Sequence, residues 1–264
     1  MVKKNLLSRQ RFGFGLNWRS YSKRISFPEI EHAKKGLIKL LPENYSFINK
    51  SFIDIGCGSG IHSIAAYSLN FKNIIATDFD QVSVNTTITN METFNVKFDV
   101  FQDDILKTKV KRKFDIVYSW GVLHHTGNLR DAINNSKNLV NDDGFYIIAI
   151  YKKTLFCKMW YLIKKTFCYS PELIKKIQIF LFYSLRLILY ILKGKLIKNY
   201  SNERGMNLYY DAVDWLGGYP YESASKENIL TLVGEKFTLV KCFKAKPKLG
   251  LMGTACSEYV FQRK

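Results

Sequence analysis

The sequence predicts an α/β fold in which a doubly wound parallel sheet ends in an antiparallel hairpin. Short apolar runs alternate with helical segments between residues 51 and 151, which is typical of right-handed βαβ units. The last two apolar runs, 237–243 and 258–262, have no helix between them, so they are expected to pair as a hairpin. With 264 residues, one large domain with additions is the simplest organisation.

The elements follow in order along the chain. Strands are predicted at 51–55, 73–77, 97–102, 114–119, 145–151, 237–243 and 258–262. Helices are predicted at 29–41, which Pro42 ends, and at 61–69, 81–94, 129–139 and 226–232. We divide the chain into an N-terminal lid region (1–50), a core (51–151), a helical cap insert (152–221) and a C-terminal helix with the hairpin (222–264).

Composition and charge restrict the partners. The chain has 40 Lys and Arg against 22 Asp and Glu, a net charge of +18, which favours anionic partners. No block of five like charges occurs, so a charge simply scattered over the surface stays an open alternative. Five cysteines without a CxxC pair and no apolar leader segment predict a protein of the reducing cytoplasm. No zinc-ligand spacing is present, and no metal is expected.

Three glycines follow the first strand in "FIDIGCGSG", at Gly56, Gly58 and Gly60. Glycine allows a close approach of ligand to backbone. A dinucleotide fingerprint would need glycine at Ile61, and a phosphate-binding loop would end in Gly-Lys-Ser/Thr, which is absent here. The acidic Asp54 before the turn repels phosphate and favours a cationic ligand. S-adenosylmethionine, with its sulfonium and ammonium groups, fits this requirement.

Acidic and aromatic residues follow the next two strands, where ligands bind in open α/β sheets. Asp78 is expected to accept the two ribose hydroxyls, and Phe79 to stack on adenine. Either Asp103 or Asp104 is expected to accept from the adenine amino group. We also assign Ile105 and Trp120 to the cofactor site, where Trp120 is expected to pack beside the methionine part of S-adenosylmethionine.

Several motifs resemble those of class I S-adenosylmethionine-dependent methyltransferases. These are "FIDIGCGSG", "IIATDFDQVSV" and "FDIVYSWGVLHHTGNLRDAI". More narrowly, "FGFGLNWRSY", "YSWGVLHHTGN" and "DAVDWLGGYPYESAS" resemble a bacterial subgroup, many of whose members sit among genes for cell-surface glycans. The resemblance implies a Rossmann-like sheet of seven strands, S-adenosyl-L-methionine as cofactor and S-adenosyl-L-homocysteine as product. It suggests O-methylation of a small molecule, a sugar or a glycan precursor.

Methyl transfer to a hydroxyl gains from alignment and from removal of the proton. The segment after the fourth strand carries adjacent histidines. We predict His125 as the catalytic base, with His124 as the second choice. The alternative is that both rings serve as hydrogen-bonded structural groups.

The acceptor side is predicted to use aromatic and acidic residues. These are Trp18, Tyr151, Tyr210, Asp211, Tyr219 and Glu222. The segment "FGFGLNWRSY" is expected to fold over the cofactor as a lid that excludes water. Ordinary packing of this tyrosine-rich material stays open as the alternative.

The insert at 152–200 is apolar and rich in lysine, including Lys195 and Lys198. Two roles are open for it: a plain helical cap, or a surface that touches a lipid-linked acceptor or the anionic inner face of the membrane. An RNA acceptor is the alternative that the positive charge suggests. It is disfavoured because the turn after the fourth strand lacks the proline-containing motif of base-methylating enzymes. A non-catalytic, cofactor-binding scaffold is the third reading.

Overall fold

The structure, a computed structural model, describes residues 11–22, 25–194, 200, 208–246 and 249–264. Its strands are β1 (Ser51–Ile55), β2 (Asn73–Asp78), β3 (Asp99–Gln102), β4 (Phe114–Trp120), β5 (Val140–Tyr151), β6 (Phe237–Phe243) and β7 (Cys256–Arg263). Its helices are α1 (Gly15–Ser22), α2 (Phe27–Leu40), α3 (Ile61–Ser68), α4 (Gln81–Thr93), α5 (Leu129–Lys137), α6 (Cys157–Tyr169), α7 (Glu172–Leu192), α8 (Leu208–Gly217) and α9 (Lys226–Val233).

The strands form one seven-stranded sheet in the order β3-β2-β1-β4-β5-β7-β6. Strands β1 to β5 are parallel to one another. Strand β7 pairs antiparallel with both β5 and β6. The predicted fold class is therefore confirmed, including the terminal hairpin. The carboxyl ends of β1, β2, β3 and β4 lie along one edge of the sheet, which is where the predicted cofactor residues follow the strands.

Both faces of the sheet are covered, which is why its central strands are mostly apolar. All five residues of β1 are buried. Successive residues point to opposite faces: Ile53 packs in a core that includes Ile133 of α5 and Ile229 of α9. Phe52 packs in a second core that includes Leu37 of α2 and Ile64 of α3.

Strand β5 begins at Val140, five residues before the predicted start. Val140 pairs with Phe114, and the register then shifts before Ile116 pairs with Phe145. Asp143 in the irregular stretch has φ +61°, a conformation that interrupts regular alternation. Residues 141–144 are Asn-Asp-Asp-Gly, which is typical of a turn, so the sequence did not predict that they belong to a strand.

The insert forms a helical cap with its own small core. Trp160 of α6, Phe182 of α7 and Leu216 of α8 are buried together there. None of the helices in the described ranges is long and apolar enough to cross a membrane. Residues 1–10 and 23–24 of the predicted lid region, and Lys195 and Lys198 of the insert, lie outside the described residues.

Candidate active site

The turn between β1 and α3 needs glycine at three positions. Gly56, Gly58 and Gly60 have φ values of +82°, +58° and +75°, which L side chains rarely adopt. A Cβ at Gly56 would lie 2.3 Å from Val122, and one at Gly60 would lie 2.5 Å from Thr87. Backbone conformation and space therefore both disfavour other residues at these positions. The amides of Gly56 and Cys57 donate to the Thr77 carbonyl, and the Gly60 amide donates to the Cys57 carbonyl, so these groups fix the shape of the turn.

Asp54 is the fourth of the five residues of β1 and is buried next to this turn. Its Oδ2 accepts a hydrogen bond of 2.7 Å from the Ser63 hydroxyl. Burial raises the pKa of Asp54 to about 7; the Ser63 hydrogen bond opposes that rise and the nearby Asp78 adds to it. None of the ion pairs formed within the described residues involves Asp54. Within the described residues, this carboxyl group therefore has a hydrogen-bond donor but no cation beside it.

Asp78 ends β2 beside the same turn. Its Oδ2 accepts from the Gly58 amide at 3.0 Å, and its Oδ1 accepts from the Asp80 amide at 2.9 Å. Burial raises its pKa to about 6, against the effect of these backbone donors. The two hydrogen bonds fix the carboxylate, and each oxygen keeps a lone pair for a further donor such as a ribose hydroxyl.

The predicted adenine residues lie together at the ends of β2 and β3. Phe79 is 37% exposed, whereas Ile105 is buried in the core. Asp103 Oδ2 accepts from the Thr108 hydroxyl at 2.5 Å, and its Oδ1 accepts from the Lys109 amide at 2.9 Å.

Arg11, which the sequence analysis missed, covers this corner. Its guanidinium carbon lies 4.5 Å from the Phe79 ring centroid, and its Nη1 lies 2.9 Å from Asp104 Oδ1. The adenine ring of the cofactor was also predicted to stack on Phe79 and to donate to Asp103 or Asp104. Arg11 therefore makes contacts that were predicted for adenine. No local sequence signal identifies Arg11, because its partners lie 68 and 93 residues away.

The turn that follows β4 carries the two histidines that were predicted as candidates for the catalytic base. Trp120 is 45% exposed, and its Nε1 donates to Glu258 at 2.8 Å. His124 is fully buried against Tyr151, with ring centroids 3.9 Å apart. Neither nitrogen of His124 has a hydrogen-bond partner within the described residues. Burial, followed by the charges of His125 and Lys164, holds its pKa well below the usual value.

His125 has a defined tautomer. Its Nδ1 lies 2.8 Å from the Pro220 carbonyl oxygen. Because a carbonyl can only accept, Nδ1 carries the proton and Nε2 keeps the lone pair of the neutral ring. Burial, with a smaller effect of Lys164, lowers the pKa of His125 to about 3.

Lys164 is a second residue that sequence reasoning misjudged, since it was counted among the basic residues of the insert. It is fully buried, its Nζ donates to the Trp215 carbonyl and it lies 3.9 Å from the Trp215 ring centroid. Burial lowers its pKa to about 7. A signal exists: Cys157, Trp160, Lys164 and Phe167 recur at helical spacing on the buried side of α6.

The N-terminal helix joins the cofactor side to the cap. The Gly15 amide donates to Asp80 Oδ2 at 2.9 Å, and a Cβ at Gly58 would lie 2.8 Å from the Trp18 ring. The Asn17 amide donates to Asp214 of α8, and the Phe14 ring lies 5.2 Å from the His125 ring. This segment therefore lies over the glycine turn and the histidines.

The residues predicted for the acceptor side divide into two groups. Trp18 lies against Gly58 of the glycine turn, and Tyr151 packs on His124. Tyr219 is buried and packs on Tyr161 and Tyr169 instead.

The acidic members of the set have structural partners. Asp211 pairs with Arg186 at 2.6 Å, and its neighbour Tyr210 is exposed. Glu222 accepts from the Leu129 amide at 2.8 Å, which satisfies the first turn of α5. Glu222 lies next to the histidine turn, since its amide donates to the His124 carbonyl at 3.0 Å, but its carboxylate is hydrogen-bonded to α5.

The fold and the site define a class of protein. Residues 36–150 match the family model of the ribosomal protein L11 methyltransferases. The structure resembles magnesium protoporphyrin IX methyltransferase from Synechocystis PCC 6803, solved with bound S-adenosylhomocysteine, with a TM-score of 0.56 and 14% identity. That alignment covers 95% of this chain and 96% of the other. The chain has the fold of class I S-adenosylmethionine-dependent methyltransferases, and its residues 36–150 are similar to the model of one family of them.

Further likeness supports the same class. The N-methyltransferase NodS from Bradyrhizobium japonicum WM9 aligns with a TM-score of 0.53 and 14% identity, over 89% of this chain and 88% of that one. Among curated proteins, the ribosomal protein L11 methyltransferase of Staphylococcus haemolyticus is 29% identical over 53% of this chain and 48% of its own length. That of Macrococcus caseolyticus is 33% identical over 47% and 40%. The chain spans about half or less of the length of these two L11 methyltransferases.

Proposed function

We propose that the protein transfers a methyl group from S-adenosylmethionine to a hydroxyl oxygen of a small molecule, such as a sugar or a surface-glycan precursor. The observation that carries the choice of donor is Asp54, a buried carboxyl group beside a three-glycine turn with no ion-pair partner in the described part of the chain. An ammonium or sulfonium group supplies the missing positive charge. Asp78 offers the acceptor atoms that unphosphorylated ribose hydroxyls require.

When bound, S-adenosylmethionine supplies an electrophilic methyl group on a good leaving group. The protein's own contribution is to hold, align and dehydrate the reacting groups. Trp18 lies over the Gly58 side of the turn, and Phe14 lies against His125. Both side chains would keep water away from a ligand held between the glycine turn and the histidines, which is the role predicted for a lid.

His125 is the group that we propose takes the proton of the acceptor hydroxyl. The Pro220 carbonyl holds Nδ1 protonated, so the lone pair is on Nε2. Burial and the Lys164 charge lower the pKa of His125 to about 3, so the ring is neutral but a weak base. It can take the proton only as the methyl group arrives, because the acceptor oxygen then becomes strongly acidic. His124, with no hydrogen-bond partner found for either nitrogen among the described residues, is the second choice.

A small acceptor is supported by the walls beside the histidines. Tyr151 packs on His124, and Trp215 lies 5.6 Å from Tyr151 between ring centroids. Aromatic walls with a few polar groups are typical of small-molecule sites.

A protein acceptor is the second candidate, because the matching family model and curated relatives are named for ribosomal protein L11. The family-model match ends at residue 150, whereas Trp215 and the rest of the cap come later in the chain. It therefore concerns the donor side, and leaves the acceptor side to the residues of the cap.

The acceptor class is tested by supplying S-adenosylmethionine labelled in its methyl group with four separate pools. The pools are sugars and sugar nucleotides, small phenols, purified ribosomal protein L11, and tRNA. We expect label in a small-molecule pool and an O-methyl ether by mass spectrometry. Label in the protein or RNA pool alone would overturn the small-molecule proposal while retaining methyl transfer.

The base is tested with His125→Gln, which keeps a polar side chain of similar size. We expect turnover to fall by about 10²–10⁴-fold, with the affinity for S-adenosylhomocysteine unchanged. His32→Gln, an exposed histidine of α2, is the matched control and should keep full turnover. Unchanged turnover in His125→Gln would assign this ring to packing.

A further inference from the structure

Helix α7 has a long apolar face that the rest of the described structure leaves exposed. Phe182 is the only buried residue of its 21 residues. Nine of its Leu, Ile and Phe side chains are exposed, among them Leu173, Ile177, Phe180, Leu181, Ile188 and Leu192. The exposed fraction reaches 67% for Phe180 and 76% for Leu192. We call these exposed Leu, Ile and Phe residues of 173–192 the α7 face.

The α7 face is one continuous strip. At about 100° per residue, its nine members fall within an arc of about 140°. Ser184 is the one other residue of that arc and no charged residue lies in it. Phe182, Ile179 and Tyr183, which pack in the cap core, lie on the opposite side of the helix. The strip is therefore turned away from the rest of the described structure, and an apolar strip of this length marks an interaction site.

Basic residues accompany the strip. Residues 152–194 contain nine Lys and Arg residues and a single acidic residue, Glu172. Lys158, Lys165, Lys176 and Lys193 are exposed. Glu172 is already paired with Lys175 at 2.8 Å. By the same rotation of about 100° per residue, Lys176 falls about 40° outside the strip, and Lys158 and Lys165 belong to the neighbouring helix α6. An apolar helix face accompanied by exposed lysines is typical of helices that lie in a membrane interface.

We propose that the α7 face binds an anionic lipid surface, with the helix lying flat among the headgroups and the lysines contacting lipid phosphates. The helix is about 31 Å long at about 1.5 Å per residue. A second copy of this chain is a poorer occupant, because each copy carries +18 and like charges repel. This inference does not rest on the proposed methyl transfer.

The contacts of α7 give the inference a consequence for the site. Phe182 of α7 packs on Trp160 with ring centroids 5.5 Å apart, and Trp160 packs on Trp215 at 5.1 Å. Trp215 belongs to the aromatic wall beside the histidines. A lipid surface against α7 would therefore lie on the outer side of the same cap whose inner side faces the acceptor.

The test is flotation of the full chain with vesicles of phosphatidylglycerol and phosphatidylcholine, and with vesicles of phosphatidylcholine alone. The salt concentrations are about 50 mM and about 500 mM. The variant Phe180→Asp/Ile188→Asp places two charges in the strip. The matched control, Ile38→Asp/Leu230→Asp, changes two other exposed apolar residues on helices α2 and α9. Circular dichroism and thermal melting confirm that each variant is folded.

We expect the unchanged protein to float with anionic vesicles at low salt. The strip variant should bind at least tenfold more weakly, and the control should bind like the unchanged protein. Absence of binding at low salt, equal binding to neutral vesicles, or equal loss in the control would each overturn the proposal. So would a dimer in light scattering that the strip variant dissociates while no vesicle binding is seen. Flotation of the unchanged protein decides the matter even if the variant does not fold.

Discussion

Asp54, Lys164 and Asp214 each hold an ionisable group inside the molecule, and burial moves the pKa of each to about 7. Asp54 lies beside the glycine turn, whereas Lys164 and Asp214 lie where the cap meets the N-terminal helix. Groups with such pKa values change charge near neutral pH. Binding at the site is therefore expected to depend on pH.

Asp54 gives the first prediction. Its pKa is about 7 without a ligand, and a ligand ammonium favours the ionised form, so binding releases a proton below pH 7. The affinity for S-adenosylhomocysteine should fall by up to about tenfold per pH unit below about pH 7 and level off above it. Calorimetry across pH measures this dependence.

Two variants isolate the effect of Asp54. Asp54→Asn should bind more weakly at pH 8 and lose the dependence near pH 7, whereas the exposed Asp99→Asn should keep it. A pH dependence that survives in Asp54→Asn would assign the titration to another group.

Arg11 gives the second prediction. Its guanidinium makes the contacts with Phe79 and Asp104 that we predicted for adenine. The guanidinium and the adenine cannot both stack on the same face of the Phe79 ring. Arg11→Ala should therefore tighten binding of S-adenosylhomocysteine by about threefold to tenfold, because a competing contact is removed. Weaker binding by this variant would mean that Arg11 clamps the nucleoside instead.

Single residues were the hardest part to predict from the sequence. The roles of Asp54, Asp78 and the glycines follow from their places next to strand ends, which are local information. Glu222 was assigned to the acceptor, yet it caps α5 across 93 residues. Arg11 and the Asn17–Asp214 contact are equally long-range. Such contacts depend on how the lid and cap segments fold back, and no local pattern encodes that.

Among the elements, the glycine turn gives the third prediction. Gly58 has φ +58° and faces Trp18, so Gly58→Ala should lower the free energy of unfolding by about 1–2 kcal/mol or more. Gly36→Ala is the matched control: it lies inside α2 with open space at its Cβ. That variant should gain up to about 1 kcal/mol. Chemical denaturation measures both, and an undisturbed Gly58→Ala would contradict the packing of α1 on the turn.

Elements with a clear period were predicted well, and irregular ones were not. Helices α3 and α4 and strands β1, β2 and β6 follow the sequence pattern within one residue. Strand β5 extends through the polar residues 141–144 because pairing with β4 outweighs local preference. The insert was predicted as helical, but the burial of Lys164 becomes evident only when the period of α6 is traced.

For the whole molecule, the sheet brings four strand ends to one edge and the cap covers that edge. The seven strands and the terminal hairpin were predicted, because the family resemblance implied seven strands and the last two lack an intervening helix. The strand order β3-β2-β1-β4-β5-β7-β6 comes from the structure. The position of the cap could not be predicted, since it depends on contacts such as Trp160 with Trp215.

The central claim is that this edge binds a positively charged sulfur nucleoside, and calorimetry with the full chain tests it most directly. S-adenosylmethionine and S-adenosylhomocysteine are titrated in turn, with NADH and ATP as competing candidates and Asp78→Asn as the variant. We predict heat of binding for the first two ligands, none for NADH or ATP, and weaker binding by Asp78→Asn. Tight binding of NADH or ATP, with no uptake of either sulfur nucleoside, would contradict the account.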